Sequence, residues 1–183
     1  MSLELVLGPM FSGKTSQLIA RLTVYADLGF KVLYVNSNED TRNTYFSTHS
    51  GTELKTSSSI KMVKCTSLSS LDISKYSVIG IDESQFFDDL VIYVKEWLDL
   101  SKHVISVGLD GDINRKPMGK ILDLIPYADT VTKITAKCMI CIKSGELKPA
   151  PFTIRKDGQI KDREIGGSDI YIAVCRKHIL DRS

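Results

Sequence analysis

Residues 8 to 15 read Gly8-Pro9-Met10-Phe11-Ser12-Gly13-Lys14-Thr15, which fits the phosphate-loop pattern G-x-x-x-x-G-K-[ST] in full. The two glycines let the backbone wrap closely, so that successive N–H groups point at phosphate oxygens. Lys14 then reaches the β and γ phosphates of ATP, and the Thr15 hydroxyl is placed to ligate magnesium. The phosphates would sit at the N-terminus of the following helix, where the helix dipole favours anions. The competing reading is a chance match. The flanking sequence argues against it, because the motif follows an apolar run and opens a helical pattern.

A second group of chemical residues closes another apolar run. Ile79 to Ser84 read IGIDES, placing Asp82 and Glu83 at a strand end. In phosphate-loop enzymes an aspartate there holds magnesium. Neighbouring side chains splay to opposite sides of a strand end, so Glu83 can face an acceptor hydroxyl as general base while Asp82 serves the metal. A pair of solvated carboxylates is the plainer alternative. The third group is Cys138-x-x-Cys141 with Cys175-x-x-His178, two ligand pairs able to close one tetrahedral zinc site with no open position. The alternative is free or redox-active thiols with a surface histidine. Cys65 has no partner in sequence and reads as a small buried hydrophobe. His49 and His103 carry no spacing signal.

These residues need a scaffold that delivers them to one place. Leu3–Leu7, Lys31–Val35, Ser77–Ile81, His103–Leu109 and Thr130–Thr135 read as strands. Ser16–Leu28, ending at Gly29, and Leu90–Leu98 carry apolar residues at helical spacing, and Ile121–Ile125 reads as a short helix. The polar stretch Asn36–Ser59 reads as loop or weak hairpin. Strands alternating with helices predict an α/β fold with a mostly parallel sheet, whose ligands lie beyond the C-terminal strand ends. The polar clusters follow Leu7, Val35, Ile81 and Leu109, as that rule requires. The pattern changes near Ala136, giving a nucleotide-binding domain over 1–135 and a small metal-organised domain over 136–183.

At 43% hydrophobic and 25% charged, the 183 residues have the composition of a soluble globular protein. A net charge of +2 gives no ground for a nucleic-acid or membrane surface. No run approaches the ~18 apolar residues of a membrane span, the N-terminus is unlike a secretory signal, and the cysteine usage suits a reducing compartment. A cytoplasmic location is expected.

Together these segments resemble the type II thymidine kinase family. The resemblance rests on GPMFSGKT, EDTR at 39–42, IDESQFF at 81–87, LDGDINRKPMG at 109–119, the paired zinc ligands and IGGSDIY at 165–171, all in the family's order over nearly the whole chain. It implies a RecA-like phosphate-loop domain, a small zinc-binding C-terminal domain, and transfer of the ATP γ-phosphate to the 5′-hydroxyl of deoxythymidine, in a homotetramer. By motif position, Gly8 to Thr15 with Asp40, Thr41, Arg42, Asp82 and Gln85 resemble the ATP and magnesium site, and Glu83 matches the proton acceptor. Met10, Phe86, Leu109, Ile113 and Met118 resemble the nucleoside pocket, with Thr153 added to it. Asp162, Arg163, Glu164, Ile165 and Gly166, followed by Tyr171, correspond to the lasso that covers the base, where Gly166 and Gly167 allow a tight fold. Three departures stand out: His178 where most members have cysteine, Ser84 where glycine is usual, and Ile113 and Met118 where many carry phenylalanine. The rival readings are a nucleoside kinase of different base preference and a RecA-like ATPase whose zinc module binds nucleic acid.

Overall fold

The computed structural model describes residues 1–40, 60–157 and 166–180. Six strands, β1 (Ser2–Leu7), β2 (Val32–Ser37), β3 (Ile60–Cys65), β4 (Val78–Ile81), β5 (His103–Gly108) and β6 (Thr130–Lys133), form one sheet. Their order is β3-β2-β4-β5-β1-β6, and every pairing is parallel. The fold is therefore α/β with a parallel central sheet, as the alternation of apolar runs predicts. All six residues of β2 and all four of β4 are buried, because a parallel sheet is covered on both faces.

One face packs on helix α1 (Lys14–Asp27) through Leu18, Ile19, Leu22 and Ala26. The other packs on α2 (Leu90–Asp99) through Leu90, Val94 and Trp97, and on the 3-10 turn Ile121–Tyr127 through Ile121 and Leu124. Gly80 sets the depth of the first contact. A Cβ there would stand 2.5 Å from Leu22 Cδ1 and 2.9 Å from Leu18 Cδ1. Since α1 carries Lys14 and Thr15, this close approach also fixes the height of the phosphate loop above the sheet.

Two boundaries differ from the sequence reading. Helix α1 begins at Lys14, two residues before Ser16, because the left-handed Gly13 (φ 84°) turns the loop directly into the helix. Strand β3 has no counterpart among the predicted strands: Lys61 and Lys64 break its apolar run. It is an edge strand paired only with β2, where lysines are usual. Cys65 is buried in the core, as expected of an unpaired cysteine.

The C-terminal part is built from short pieces: β7 (Ala136–Lys137), α3 (Met139–Lys143), β8 (Pro149–Ala150), β9 (Phe152–Arg155), β10 (Tyr171–Val174) and α4 (Arg176–Leu180). Strands β7 and β8 pair antiparallel, as do β9 and β10. Their apolar cluster is separate from the two that flank the sheet, and it is made largely of alanines and the metal-spaced cysteines.

Candidate active site

The phosphate loop leaves β1 and enters α1 over a few residues, and its shape is set by internal hydrogen bonds. Ser12 Oγ and Lys14 Nζ both donate to the Pro9 carbonyl, at 2.8 and 2.7 Å. Phe11 adopts a left-handed conformation (φ 65°), which a phenylalanine seldom holds without outside support. That support comes from the C-terminal lobe. The Met10 N–H donates to Thr153 Oγ1 on β9 at 3.0 Å, with both residues buried, and the Phe11 ring packs against the lobe's apolar cluster.

Strand β5 lies between β1 and β4, so Asp82 and Glu83 emerge one strand away from the loop on the same C-terminal edge. The Thr15 hydroxyl donates to Asp82 Oδ1 at 3.3 Å, joining the two motifs. Asp82 Oδ1 also accepts the Glu83 N–H at 2.9 Å, and Oδ2 accepts the Tyr34 hydroxyl at 2.7 Å. Burial raises the Asp82 carboxyl to about 6, the neighbouring Glu83 charge adds to this, and the Tyr34, Thr15 and Glu83 N–H hydrogen bonds oppose it. Thr15 and Asp82 thus present two hard oxygen donors together, the chemistry that suits magnesium.

Glu83 itself is left-handed (φ 48°) and only 8% exposed. Gln85 holds its carboxylate: Nε2 donates to Glu83 Oε2 at 2.5 Å, while Oε1 accepts the Leu109 N–H at 3.0 Å. Gln85 thereby ties the Glu83 carboxylate to the backbone at Leu109. Beneath the turn, Ser106 Oγ donates to Ser84 Oγ (2.8 Å), which donates to the Ile81 carbonyl (3.1 Å). Gly119 closes over the top. Its φ is 62°, and a Cβ would fall 2.1 Å from the Gln85 carbonyl oxygen.

The remaining expected residues fall into three groups. Met10 is buried, Phe86 and Leu109 are half-buried, and all three adjoin the elements just described. Ile113 and Met118 are also half-buried, in a loop closed by the Gly111–Pro117 bridge and by Asp112, whose Oδ1 accepts the Asn114 and Lys116 N–H groups at 2.8 Å. Asp40 is buried and accepts the Asn36 amide at 3.2 Å. Tyr171 is buried on β10 opposite Arg155, whose guanidinium lies 5.9 Å from the ring centroid. Gly166 packs on Ile170, where a Cβ would meet Cδ1 at 2.4 Å. Thr41, Arg42, Asp162, Arg163, Glu164 and Ile165 lie outside the described residues. Tyr34 and Ser106 carry no sequence signal, and Thr153, expected at the nucleoside pocket, is found on the Met10 N–H; these side chains are of ordinary type and their contacts span long stretches of chain.

The metal-spaced residues converge. Cys138 and Cys141 flank the start of α3, Cys175 and His178 the start of α4, and their four ligand atoms all lie within 4.8 Å of one another. His178 Nδ1 is 3.4 Å from Cys138 Sγ, 3.5 Å from Cys141 Sγ and 3.4 Å from Cys175 Sγ, and the Cys141 and Cys175 sulfurs are 3.8 Å apart. A tetrahedron with Zn–S of about 2.3 Å and Zn–N of about 2.0 Å has edges of about 3.8 Å (S–S) and about 3.5 Å (S–N). The donor set and its dimensions both fit such an ion. Burial pushes the Cys138 thiol up, but the Cys141 and Cys175 N–H groups and His178 outweigh it and bring it down to about 6, while burial and the neighbouring thiols raise Cys141 to about 11.

The family model described as Thymidine kinase matches residues 1–179. A Thymidine kinase of Oryza sativa subsp. japonica is 41% identical over 193 residues, covering 98% of this chain and 66% of that protein. The Thymidine kinase of Variola virus is 39% identical over 180 residues, covering 98% of this chain and 97% of its own. Thymidine kinase a of Arabidopsis thaliana is 40% identical over 183 residues, covering 98% and 75%.

Proposed function

The chain belongs to the thymidine kinase family, and we propose that it transfers the γ-phosphate of ATP to the 5′-hydroxyl of deoxythymidine, giving dTMP for pyrimidine deoxynucleoside salvage. The observation that carries the mechanism is the hydrogen bond from Thr15 to Asp82, which unites the phosphate loop with the acidic turn that bears Glu83.

Residues Gly8 to Thr15 bind the triphosphate through loop N–H groups and Lys14. Thr15 and Asp82 would hold magnesium, which when bound neutralises charge on the phosphates. Glu83 accepts the proton of the 5′-hydroxyl, and Gln85 keeps its carboxylate oriented for that transfer. By the family resemblance, Asp40, Thr41 and Arg42 complete the phosphate side. Met10, Phe86, Leu109, Ile113, Met118 and Thr153 line the nucleoside pocket, and the segment Asp162–Gly166 with Tyr171 covers the base and excludes water. Cys138, Cys141, Cys175 and His178 would hold a structural zinc ion, supported by the tetrahedral spacing of their donor atoms. The proposed division into a nucleotide-binding domain (1–135) and a zinc and lasso domain (136–183) is supported by the distinct apolar cluster of the C-terminal part, against which Phe11 also packs.

Assembly as a homotetramer is carried over from the family. It is supported by the exposed Val24, Leu28 and Phe30 near the end of α1, apolar surface that subunit contacts would cover. Among the described residues no helix is long and apolar enough to cross a membrane. A cytoplasmic site of action is part of the same proposal.

The test is magnesium-dependent transfer from ATP to deoxythymidine, deoxyuridine and deoxycytidine in parallel. Selective formation of dTMP is expected. A product from another nucleoside instead would reassign the pocket at Ile113 and Met118, and ATP hydrolysis without a nucleoside product would overturn the kinase reading.

A further inference from the structure

Tyr34 sits in β2, in a run (Lys31–Val35, KVLYV) that reads as nothing more than a buried strand. In the parallel register of β2 and β4 it stands opposite Gly80. Asp82 follows Gly80 by two residues. Side chains two apart share a face, so Tyr34, Gly80 and Asp82 all point toward α1. Gly80 offers no side chain between them, and the long phenol spans the diagonal to the carboxylate. Its ring is packed in the apolar cluster with Leu18, Leu22 and Ile105 and is 2% exposed.

We propose that Tyr34 is a positioning residue for the magnesium carboxylate, its buried hydroxyl pinning Asp82 Oδ2 at 2.7 Å so that Oδ1 stays turned toward the Thr15 hydroxyl. The inference rests on the reading that Asp82 holds magnesium. The carboxylate has a donor on each oxygen: Tyr34 on Oδ2, and Thr15 with the Glu83 N–H on Oδ1. Thr15 and the turn amide lie on one side of the group, and Tyr34 alone of these three restrains the other. Without the phenol the carboxylate can swing about its terminal torsion, which is intrinsically soft. Partners that orient a metal's ligands are typically worth about 10–100-fold in metal affinity.

The experiment compares the wild type, Tyr34→Phe and Asp82→Asn as full-length proteins. Manganese, a paramagnetic substitute for magnesium, is titrated into each in the presence of a non-hydrolysable ATP analogue, with free ion followed by electron paramagnetic resonance. Thymidine binding on the same samples counts the folded sites. Y34F keeps the ring and its packing. It should bind manganese about 10-fold more weakly, with a parallel rise in the magnesium concentration needed for half-maximal turnover and a thymidine KM within about twofold of wild type. Unchanged manganese affinity in Y34F, with binding abolished in D82N, would overturn the role of Tyr34 and leave the metal site standing. Equal loss of thymidine and manganese binding in Y34F would overturn it too, by making the phenol merely structural. Wild-type manganese affinity in D82N would refute the reading of Asp82 and this inference with it.

Discussion

Replacing Thr153 by valine removes one oxygen from the contact between the C-terminal lobe and the phosphate loop while keeping the side chain's shape. The Met10 N–H that now donates to Thr153 Oγ1 at 3.0 Å would face a methyl group, in a place where Met10 is 8% and Thr153 7% exposed. A buried donor left without an acceptor costs about 1–3 kcal/mol. If the loop keeps its shape, the whole cost falls on stability. An unfolding entropy of about 2.1 cal/mol/K per residue, over 183 residues, gives about 0.4 kcal/mol/K, so the melting temperature should drop by roughly 3–8 °C. If the loop instead relaxes and turns the N–H outward, Phe11 loses its left-handed geometry and the phosphate cradle is misshapen. The same energy then appears in ATP affinity, where about 1.4 kcal/mol is tenfold in KM. The assay pairs a thermal scan at fixed protein concentration with the ATP KM at saturating thymidine. Thr153→Ser retains the oxygen and serves as control. The reasoning fails if T153V and T153S match in both melting temperature and ATP KM.

Three further outcomes follow from the site. Glu83→Gln should lower kcat by about 10²–10⁴-fold with little change in ATP KM, because it removes proton acceptance and leaves the phosphate loop intact; turnover within tenfold of wild type would remove Glu83 from the mechanism. Purified protein should carry one zinc per chain, and His178→Ala should lower both the zinc content by elemental analysis and the melting temperature, since it breaks the tetrahedral set of donors. The Asp82 carboxyl, raised to about 6 by burial, is held above its unfolded value, so its contribution to metal-free stability is full at low pH and is lost as pH rises toward and through about 6. Asp82→Asn should accordingly remove this pH dependence and abolish magnesium-dependent transfer, the first measured by denaturant unfolding between about pH 4 and 8 with chelator present.

What could be read from the sequence is what chemistry writes locally. The phosphate loop, the Asp82–Glu83 pair and the two ligand pairs are short segments whose spacing is itself the signal, and the fold brings each to the place its spacing implied. His178 illustrates the gain: the C-x-x-H interval suggested a ligand, and the structure puts its Nδ1 at tetrahedral distance from three sulfurs. Strand β3 was missed because edge lysines erase the periodicity that marks buried strands. Tyr34, Ser106 and the contact of Thr153 with Met10 are silent in the sequence for another reason. Each acts on a residue far along the chain, 143 positions away for Thr153 and Met10, and no local pattern distinguishes such a side chain from ordinary core. His103 stayed silent for the opposite cause. It bonds Ser2 and pairs with Glu4, which also pairs with Arg21, at the N-terminal edge of the sheet, away from the edge where ligands bind.

The same division explains where the backbone is strained. Among the described residues the non-glycine positions with positive φ are Phe11, Glu83, Ser101 and Arg115. Ser101 follows the end of α2, where helices commonly terminate in this conformation. The other three lie in the phosphate loop, the acidic turn and the 109–119 loop. Such positions cost on the order of 1–3 kcal/mol each and persist only when their surroundings over-determine them. Here those surroundings are visible: Thr153 and the lobe's apolar cluster for the phosphate loop, Gln85 with the Ser84–Ser106 pair for Glu83, and the Asp112 turn for Arg115. The supports come from β9, β5 and the loop itself, so the phosphate loop is braced by the lobe that carries the metal ligands. Loss of zinc should therefore be felt first at the phosphate loop, as weaker nucleotide binding, before the parallel sheet gives way. Following ATP-analogue binding and far-ultraviolet circular dichroism together during chelation separates the two steps, and simultaneous loss of both signals would show that the lobe and the sheet unfold as one unit.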